Sequence, residues 1–311
     1  MKNLVEDMNA NRRHLITCCA ILAACCLASG SRALGQVKLD KTQLEQVEAL
    51  ERQVLYYPHL YGADRLKQFQ RRGGRRIDYT TPQGRQTAWL IPQAQGPTPE
   101  RLWVFFADNG SLGLDLEPVA RAAGFNADAF LFVDYPGYGG LCSGKPSPKS
   151  IRENARESIL AGAKQTNIDP AGLPDRVCVF GHSLGCAAAL LAVEELHLRS
   201  AVLCAPFTST ADVAQARFGI PSTFPFQHLF DNRAGLKELA KNHGRAWIIH
   251  GDKDTVLPVT MSETLSREYK DNVTLNVIPG GDHNDIFARG KKELYESMNL
   301  ARSLSRRDKG W

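Results

Sequence analysis

The 311-residue sequence contains no basic block with interleaved aromatic residues, although its formal net charge is +5. Nucleic acids bind to dense clusters of positive charge, so this dispersed charge excludes a nucleic-acid partner. The sequence also lacks the repeated long apolar runs of a multi-span membrane protein. With 43% hydrophobic and 23% charged residues, the composition is that of a globular protein and excludes a collagen-like or disordered chain.

The sequence likewise lacks the ligand patterns of common cofactors. It has no H-E-x-x-H segment and no close set of His and Cys residues, so no metal is implied. Gly139 to Lys145 matches the glycine and lysine positions of a phosphate loop, but Pro146 occupies the place of the magnesium-binding Ser or Thr. Proline also has no N–H to donate to a phosphate. We therefore expect no cofactor.

None of the eight cysteines forms a C-x-x-C pair. Four of them fall in the N-terminal segment, namely Cys18, Cys19, Cys25 and Cys26. The other four are Cys142, Cys178, Cys186 and Cys204, three of them in apolar strand or helix contexts. Their spacing indicates no disulfide, so we interpret these four as small buried hydrophobic residues.

Residues 1–36 are typical of an export signal. Arg12 and Arg13 precede an apolar run from Leu15 to Leu27, which is too short to span a bilayer, and small residues follow it. Two processing routes are open. One is a lipobox that would leave Cys25 lipidated, and the other is cleavage by a signal peptidase after Ala33. The alternative is an uncleaved N-terminal anchor.

Export determines the predicted location. We expect the mature protein in a bacterial periplasm, outside the cell, or tethered to a membrane through its N-terminal signal or a lipid anchor.

Short apolar runs alternate with helical patterns along the rest of the chain. Strands are predicted at 102–107, 130–135, 177–180, 201–204, 246–250 and 273–278, after a hairpin of 76–80 and 87–92. Helices are predicted at 39–56 and near 115–124, 150–165, 184–197, 259–269 and 291–306. Buried strands alternating with helices predict an α/β fold, a mostly parallel central sheet with helices on both faces. We expect one domain over 37–311.

The segment Gly181-His182-Ser183-Leu184-Gly185 fits the nucleophile elbow G-x-S-x-G. A predicted strand precedes it and an apolar helix follows it, as this turn requires. Side chains at the two flanking positions would clash with the neighbouring strand and helix, which favours glycine there. Ser183 is therefore the candidate nucleophile, and the alternative is an ordinary strand-to-helix turn.

A serine hydroxyl needs a base, and the base needs an orienting carboxylate. His283 is the only histidine after residue 250 and lies on a glycine-rich loop after the last predicted strand. The alternative for it is a solvated loop histidine. After the strand ending at residue 250, Asp254 lies well into the loop and is the stronger acid candidate, whereas Asp252 more plausibly caps the turn. Asp282 adjoins the histidine and is expected to point elsewhere.

Two backbone N–H groups are candidates for binding an oxyanion. One belongs to Leu184, at the N-terminus of the helix after the elbow. The other is expected in the loop after the strand 102–107, where a glycine lets the backbone approach a substrate. Gly110 is favoured, Asn109 is the alternative, and a plain turn is the competing interpretation.

Further motifs carry a family resemblance. They are Asp134-Tyr135-Pro136-Gly137-Tyr138-Gly139, Ser143 to Ser147 and Ala205 to Ser209. With the elbow, the acid loop and His283, they resemble the bud-emergence-protein-like α/β-hydrolases, which include membrane-linked protein depalmitoylases. The resemblance covers residues 70–305 and implies an α/β-hydrolase fold. It also implies Ser183 as nucleophile, Asp254 as acid and His283 as base.

The chain departs from that family at the loop after the first predicted parallel strand. Relatives usually carry His-Gly-Asn there, whereas this chain has Asp108-Asn109-Gly110. The departure affects the geometry of the oxyanion loop.

Together these patterns predict an exported serine hydrolase that cleaves carboxylic esters or thioesters in a small-molecule or lipid-like acyl substrate. Two alternatives stay open, a serine peptidase of the same fold and a non-catalytic binding member. A small cap is predicted at about 206–245. Its apolar residues would favour an acyl or aromatic group, namely Val213, Phe218, Ile220, Phe224, Phe226, Leu229 and Phe230.

Overall fold

The computed structural model describes residues 39–304 of the chain. The predicted export signal at 1–36, with the cleavage positions at Cys25 and Ala33, lies outside the described residues. No helix of the described range has both the length and the apolar character needed to cross a membrane.

The described chain divides into two compact units. The first contains the residues up to Tyr57 together with Ser209–Phe230, and the second contains Pro58–Thr208 and everything from Asp231 onward. Residues 209–230 of the predicted cap thus fall in the first unit, and residues 231–245 fall in the second.

The second unit is built on an eight-stranded sheet with the order β1-β2-β4-β3-β5-β6-β7-β8. The strands are β1 (Arg75–Thr81), β2 (Gly84–Ile91), β3 (Leu102–Phe106), β4 (Ala129–Val133), β5 (Val177–His182), β6 (Ser200–Cys204), β7 (Arg245–Gly251) and β8 (Val273–Ile278). The hairpin β1–β2 and the β2–β4 pair are antiparallel, and the pairs from β4 through β8 are all parallel. The predicted α/β fold is confirmed.

Most helices of the second unit lie between successive strands in the sequence. They are α2 (Ala63–Arg71), α3 (Glu117–Ala123, after a 3-10 turn Gly113–Leu116), α4 (Pro148–Gln165), α5 (Leu173–Arg176, after a 3-10 turn Pro170–Gly172), α6 (Leu184–Leu196), α8 (Asn232–Lys241), α9 (Val259–Glu268), α10 (Ile286–Arg289) and α11 (Lys291–Ser303). The sequence patterns did not predict α2, α5, α8 or α10.

Both faces of the sheet are covered. Trp103 and Phe105 belong to a buried cluster that includes Leu294 and Met298 of α11. Leu102 alternates with them and points to the opposite face, where a Cβ on Gly162 of α4 would lie 3.4 Å from its side chain. Because the central strands are apolar on both faces, every residue of β3 and β4 is buried.

The first unit contains α1 (Lys41–Leu55) and α7 (Thr210–Phe218). Asp40 caps α1 by accepting a hydrogen bond of 2.9 Å from Gln43 N. The Tyr56 hydroxyl lies 3.0 Å from His228 Nδ1. The second contact joins the end of α1 to the segment that follows α7 within this unit.

The four cysteines of the described range are all buried, as predicted. Burial raises the pKa of the Cys178 thiol to about 12, because the thiolate loses its hydration in an apolar core. These thiols are therefore chemically inert in the folded protein.

Candidate active site

Ser183 occupies a sharp turn between β5 and α6. Its backbone has φ 54° and ψ −118°, a left-handed conformation that a non-glycine residue rarely adopts. Ser183 N donates a hydrogen bond of 2.9 Å to Cys204 O at the end of β6, which holds the turn at the carboxyl edge of the sheet. Strain of this kind costs of order 1–3 kcal/mol and recurs at functional sites.

The two glycines of the elbow are required by close backbone contacts. A Cβ at Gly181 would lie 2.4 Å from Gly185 O, and one at Gly185 would lie 2.0 Å from Phe106 O. Both distances are far shorter than a carbon–oxygen contact allows. The turn predicted from G-x-S-x-G therefore forms with the crowding that the pattern implies.

Asp254 and His283 are brought into direct contact. His283 Nδ1 lies 2.7 Å from Asp254 Oδ2, and both side chains are nearly inaccessible to solvent. The other carboxylate oxygen, Oδ1, accepts hydrogen bonds from the N–H groups of Val256 and Leu257, at 2.8 and 2.7 Å. The carboxylate is thus fixed by the loop and aimed at the imidazole.

The other two acid candidates have different partners. Asp252 Oδ1 accepts a hydrogen bond of 2.6 Å from Gly280 N. Asp282 Oδ1 accepts one of 2.8 Å from Thr255 N. Both residues therefore tie the loop after β7 to the loop after β8, which sets the distance between Asp254 and His283.

The pKa of Asp254 is held well below its usual value. Burial opposes ionisation of the carboxyl, but hydrogen bonds from His250 and His283 and from the Leu257 N–H outweigh it. The acid is therefore ionised at neutral pH and able to stabilise a positive charge on His283.

His182, the residue before Ser183, contacts His283. The His182 ring lies 5.1 Å from the His283 ring, centroid to centroid. His182 Nε2 also lies 3.3 Å from His283 O. Within the described part of the chain, no hydrogen bond joins the Ser183 hydroxyl to the His283 ring. Catalytic hydrogen bonds are often long in ligand-free sites and tighten when substrate binds.

The loop after β3 has an arrangement that the sequence did not predict. Gly110 N–H, the favoured oxyanion donor, donates a hydrogen bond of 2.7 Å to Asp108 Oδ1. Asn109 O accepts one of 2.8 Å from the Tyr138 hydroxyl. Leu184 is the first residue of α6, and the first N–H groups of a helix have no partner within it. The helix N-terminus therefore adds positive potential beside Ser183.

His250 is a site residue that sequence reasoning missed. Its Nε2 lies 3.2 Å from Asp254 Oδ2 and 3.0 Å from Leu257 O. Its Nδ1 lies 2.6 Å from Ser262 Oγ. The available signal was its position at the end of β7, four residues before the acid.

No group of three or more His, Cys, Asp or Glu side chains in the described range is placed to hold a metal ion. The groups gathered at this edge of the sheet are a hydroxyl, an imidazole and a carboxylate, which together suit nucleophilic attack and proton transfer.

Comparison with known proteins agrees with the fold. A model described as the alpha/beta hydrolase family matches residues 96–248. An uncharacterised protein of Mycobacterium tuberculosis is 30% identical over 214 residues, which cover 68% of this chain and 73% of that protein. The chain belongs to the α/β-hydrolase family. Solved structures of low identity share the fold of this α/β-hydrolase.

Two such structures illustrate the likeness. An α/β-hydrolase from Vibrio vulnificus has a TM-score of 0.61 at 16% identity, covering 84% of this chain and 95% of that one. The Pyrococcus furiosus esterase Pf2001 has a TM-score of 0.58 at 16% identity, covering 73% and 88%.

Proposed function

We propose that this α/β-hydrolase is a serine hydrolase that cleaves carboxylic esters or thioesters through an acyl-enzyme. The observation that carries the proposal is the 2.7 Å contact between His283 Nδ1 and Asp254 Oδ2, at the same sheet edge as a serine with φ 54°. Such an elbow, with an imidazole fixed by a buried carboxylate, is the arrangement that activates a serine hydroxyl.

The proposed reaction has two halves. Ser183 Oγ attacks the substrate carbonyl carbon while His283 Nε2 accepts the hydroxyl proton. Asp254 keeps the Nδ1 proton in place and stabilises the imidazolium. His283 then protonates the leaving alcohol or thiol, and the acyl group stays on Ser183. A water molecule attacks this ester with His283 again as base, which releases the acid and restores the serine.

The tetrahedral intermediates need donors for their negative oxygen. Leu184 N–H supplies one, and the loop containing Asn109 and Gly110 supplies the other. Each donor of this kind contributes roughly 3–4 kcal/mol to the transition state. If Gly110 is the second donor, its N–H must leave Asp108 Oδ1 as the oxyanion forms.

The preference for an ester is supported by the family and by the esterase among the structures of the same fold. A small-molecule or lipid-like acyl ester is the substrate class that we propose.

The test is labelling with a fluorophosphonate probe, which reacts with activated serines. We expect the wild-type chain without residues 1–36 to be labelled and Ser183→Ala to be unlabelled. Ser209→Ala, a substitution at a serine that caps α7, serves as the matched control and should be labelled as the wild type is. An unlabelled wild type would instead favour the non-catalytic member.

Substrate choice is tested with a chain-length series of p-nitrophenyl esters and the corresponding thioesters, beside peptide amides. Turnover of the esters or thioesters supports the proposal. Faster cleavage of the peptides would establish the peptidase alternative.

We also propose that residues 1–36 direct export. The mass of the mature N-terminus from a bacterial host distinguishes a lipidated Cys25 from cleavage after Ala33, and an intact Met1 would refute export through a cleaved signal.

A further inference from the structure

A second histidine–carboxylate pair lies beside Ser183, in the loop where this chain departs from the family pattern. Asp108 lies two residues after the end of β3. Its Oδ1 accepts the Gly110 N–H at 2.7 Å, and its Oδ2 accepts the Ser111 hydroxyl at 2.7 Å. Oδ2 also lies 3.3 Å from Nδ1 of His182, the residue before the candidate nucleophile.

The His182 ring is enclosed by the site. Its side chain is 5% exposed. Apart from Asp108, its neighbours are the His283 ring at 5.1 Å and the Phe287 ring at 4.9 Å. Its second ring nitrogen, Nε2, lies 3.3 Å from His283 O. The ring therefore touches the loop after β3 on one side and the loop after β8 on the other.

Both ring nitrogens of His182 face oxygen atoms. Burial opposes ionisation of Asp108, but hydrogen bonds from His182, Ser111 and Gly110 lower its pKa to about 2, so the carboxylate accepts hydrogen bonds only. The His283 carbonyl also only accepts. A proton on His182 Nδ1 therefore lets the ring donate a hydrogen bond to Asp108 Oδ2.

We propose that a hydrogen bond from His182 Nδ1 to Asp108 Oδ2 positions the oxyanion loop and the His283 loop against Ser183. Both are positioning residues, since neither needs to touch the substrate. This inference rests on the proposed function, because it assigns the pair a part in that reaction.

The first test separates the effect on catalysis from the effect on binding. Asp108→Asn removes the negative charge and keeps an oxygen for the Gly110 N–H, and His182→Gln keeps a donor but removes the ring. We expect each to lower kcat on p-nitrophenyl acetate by about 10–100-fold, because small displacements of catalytic groups have effects of this size. KM should change by less than about threefold, since substrate contacts remain.

The double variant tests whether the two residues act as a unit. Asp108→Asn with His182→Gln should be no slower than the slower single variant, as expected for partners in one pair. The matched control is His197→Asn, which removes an exposed histidine 2.9 Å from Glu238 at the far end of α6. It should leave kcat unchanged. Single variants with the kcat of the wild type, or fully additive losses, would overturn the proposal.

A second measurement is made on the wild-type chain. In ¹⁵N spectra of the histidine rings, a ring nitrogen that carries a proton and one that does not give well-separated shifts. We expect a proton on Nδ1 of His182, the nitrogen that faces Asp108, with the signals assigned through their loss in His182→Gln. An unprotonated Nδ1 would refute the pair. If the wild type fails to turn over any ester, the proposed function fails, and these spectra still decide whether the pair exists.

Discussion

A single methyl group added at Gly185 tests the close approach between α6 and strand β3. The Cβ of an alanine there would lie 2.0 Å from Phe106 O and 2.6 Å from Ala107 O. Carbon–oxygen contacts in proteins are roughly 3.3 Å or longer, so one of the two backbones must move by about 1 Å. Strand β3 is paired on both sides, with β4 and β5, and cannot move without disturbing these ladders.

We expect Gly185→Ala to destabilise the protein by about 3 kcal/mol, the upper end of the cost of overpacking by one methyl group. The free energy of unfolding is measured from urea transitions followed by circular dichroism. Gly172→Ala is the control, because its Cβ would meet only the Arg176 side chain at 3.6 Å. It should leave the free energy of unfolding within a few tenths of a kcal/mol of the wild-type value. A wild-type midpoint for Gly185→Ala would refute the argument that the elbow needs glycine there.

Three further predictions concern buried polar side chains. Asp254→Asn should lower kcat by about 10⁴-fold in ester assays, because an amide cannot fix the required imidazole tautomer; a loss under tenfold would remove it from the mechanism. His250→Ala should lower kcat by about 10–100-fold, and less than Asp254→Asn does, since the acid keeps its two backbone donors; His250→Gln, which retains a donor near the Nε2 position, should recover part of the loss. Burial raises the pKa of Asp134 to about 6 from 3.8, so the folded state retains a proton that the unfolded state releases, and this group loses stabilising effect as pH rises from about 4 to 6. From pH 4 to pH 6, the free energy of unfolding should therefore become more favourable to the folded state in Asp134→Asn relative to the wild type, by up to about 3 kcal/mol. Identical pH profiles of the two proteins would contradict a raised pKa of Asp134.

The parts predicted well from sequence are those determined by local pattern. The strands from Leu102 to Gly251 appear as short apolar runs because the centre of the sheet is covered on both faces, which requires buried side chains on both sides of each strand. Gly181 and Gly185 were identifiable because backbone crowding at an elbow leaves no alternative to glycine.

Other features depend on partners remote in the chain. Helix α2 is only nine residues long and places two larger apolar residues on the core, the buried Phe69 and the partly buried Leu66, which is too few to establish a repeating period. Helix α7 had a usable signal, since Ser209 caps it by accepting from Asp212 N at 3.0 Å.

The site residues also divide into those that local sequence predicts and those that depend on remote partners. Asp254 could be preferred over Asp252 from its depth in the loop. The contact of Asp108 with His182 could not be predicted, because 74 residues separate them and no short motif encodes a pairing between loops.

The buried thiols make it possible to measure local and global unfolding of the protein by alkylation. In a chain without residues 1–36, each remaining cysteine is buried, so an alkylating reagent modifies the protein only when a part of it transiently unfolds. Cys178 and Cys204 lie on neighbouring strands at the centre of the sheet and measure its global opening. Cys142 lies in the loop after β4. The ratio of its modification rate to the rates of Cys178 and Cys204 therefore measures how often that loop opens while the sheet stays folded.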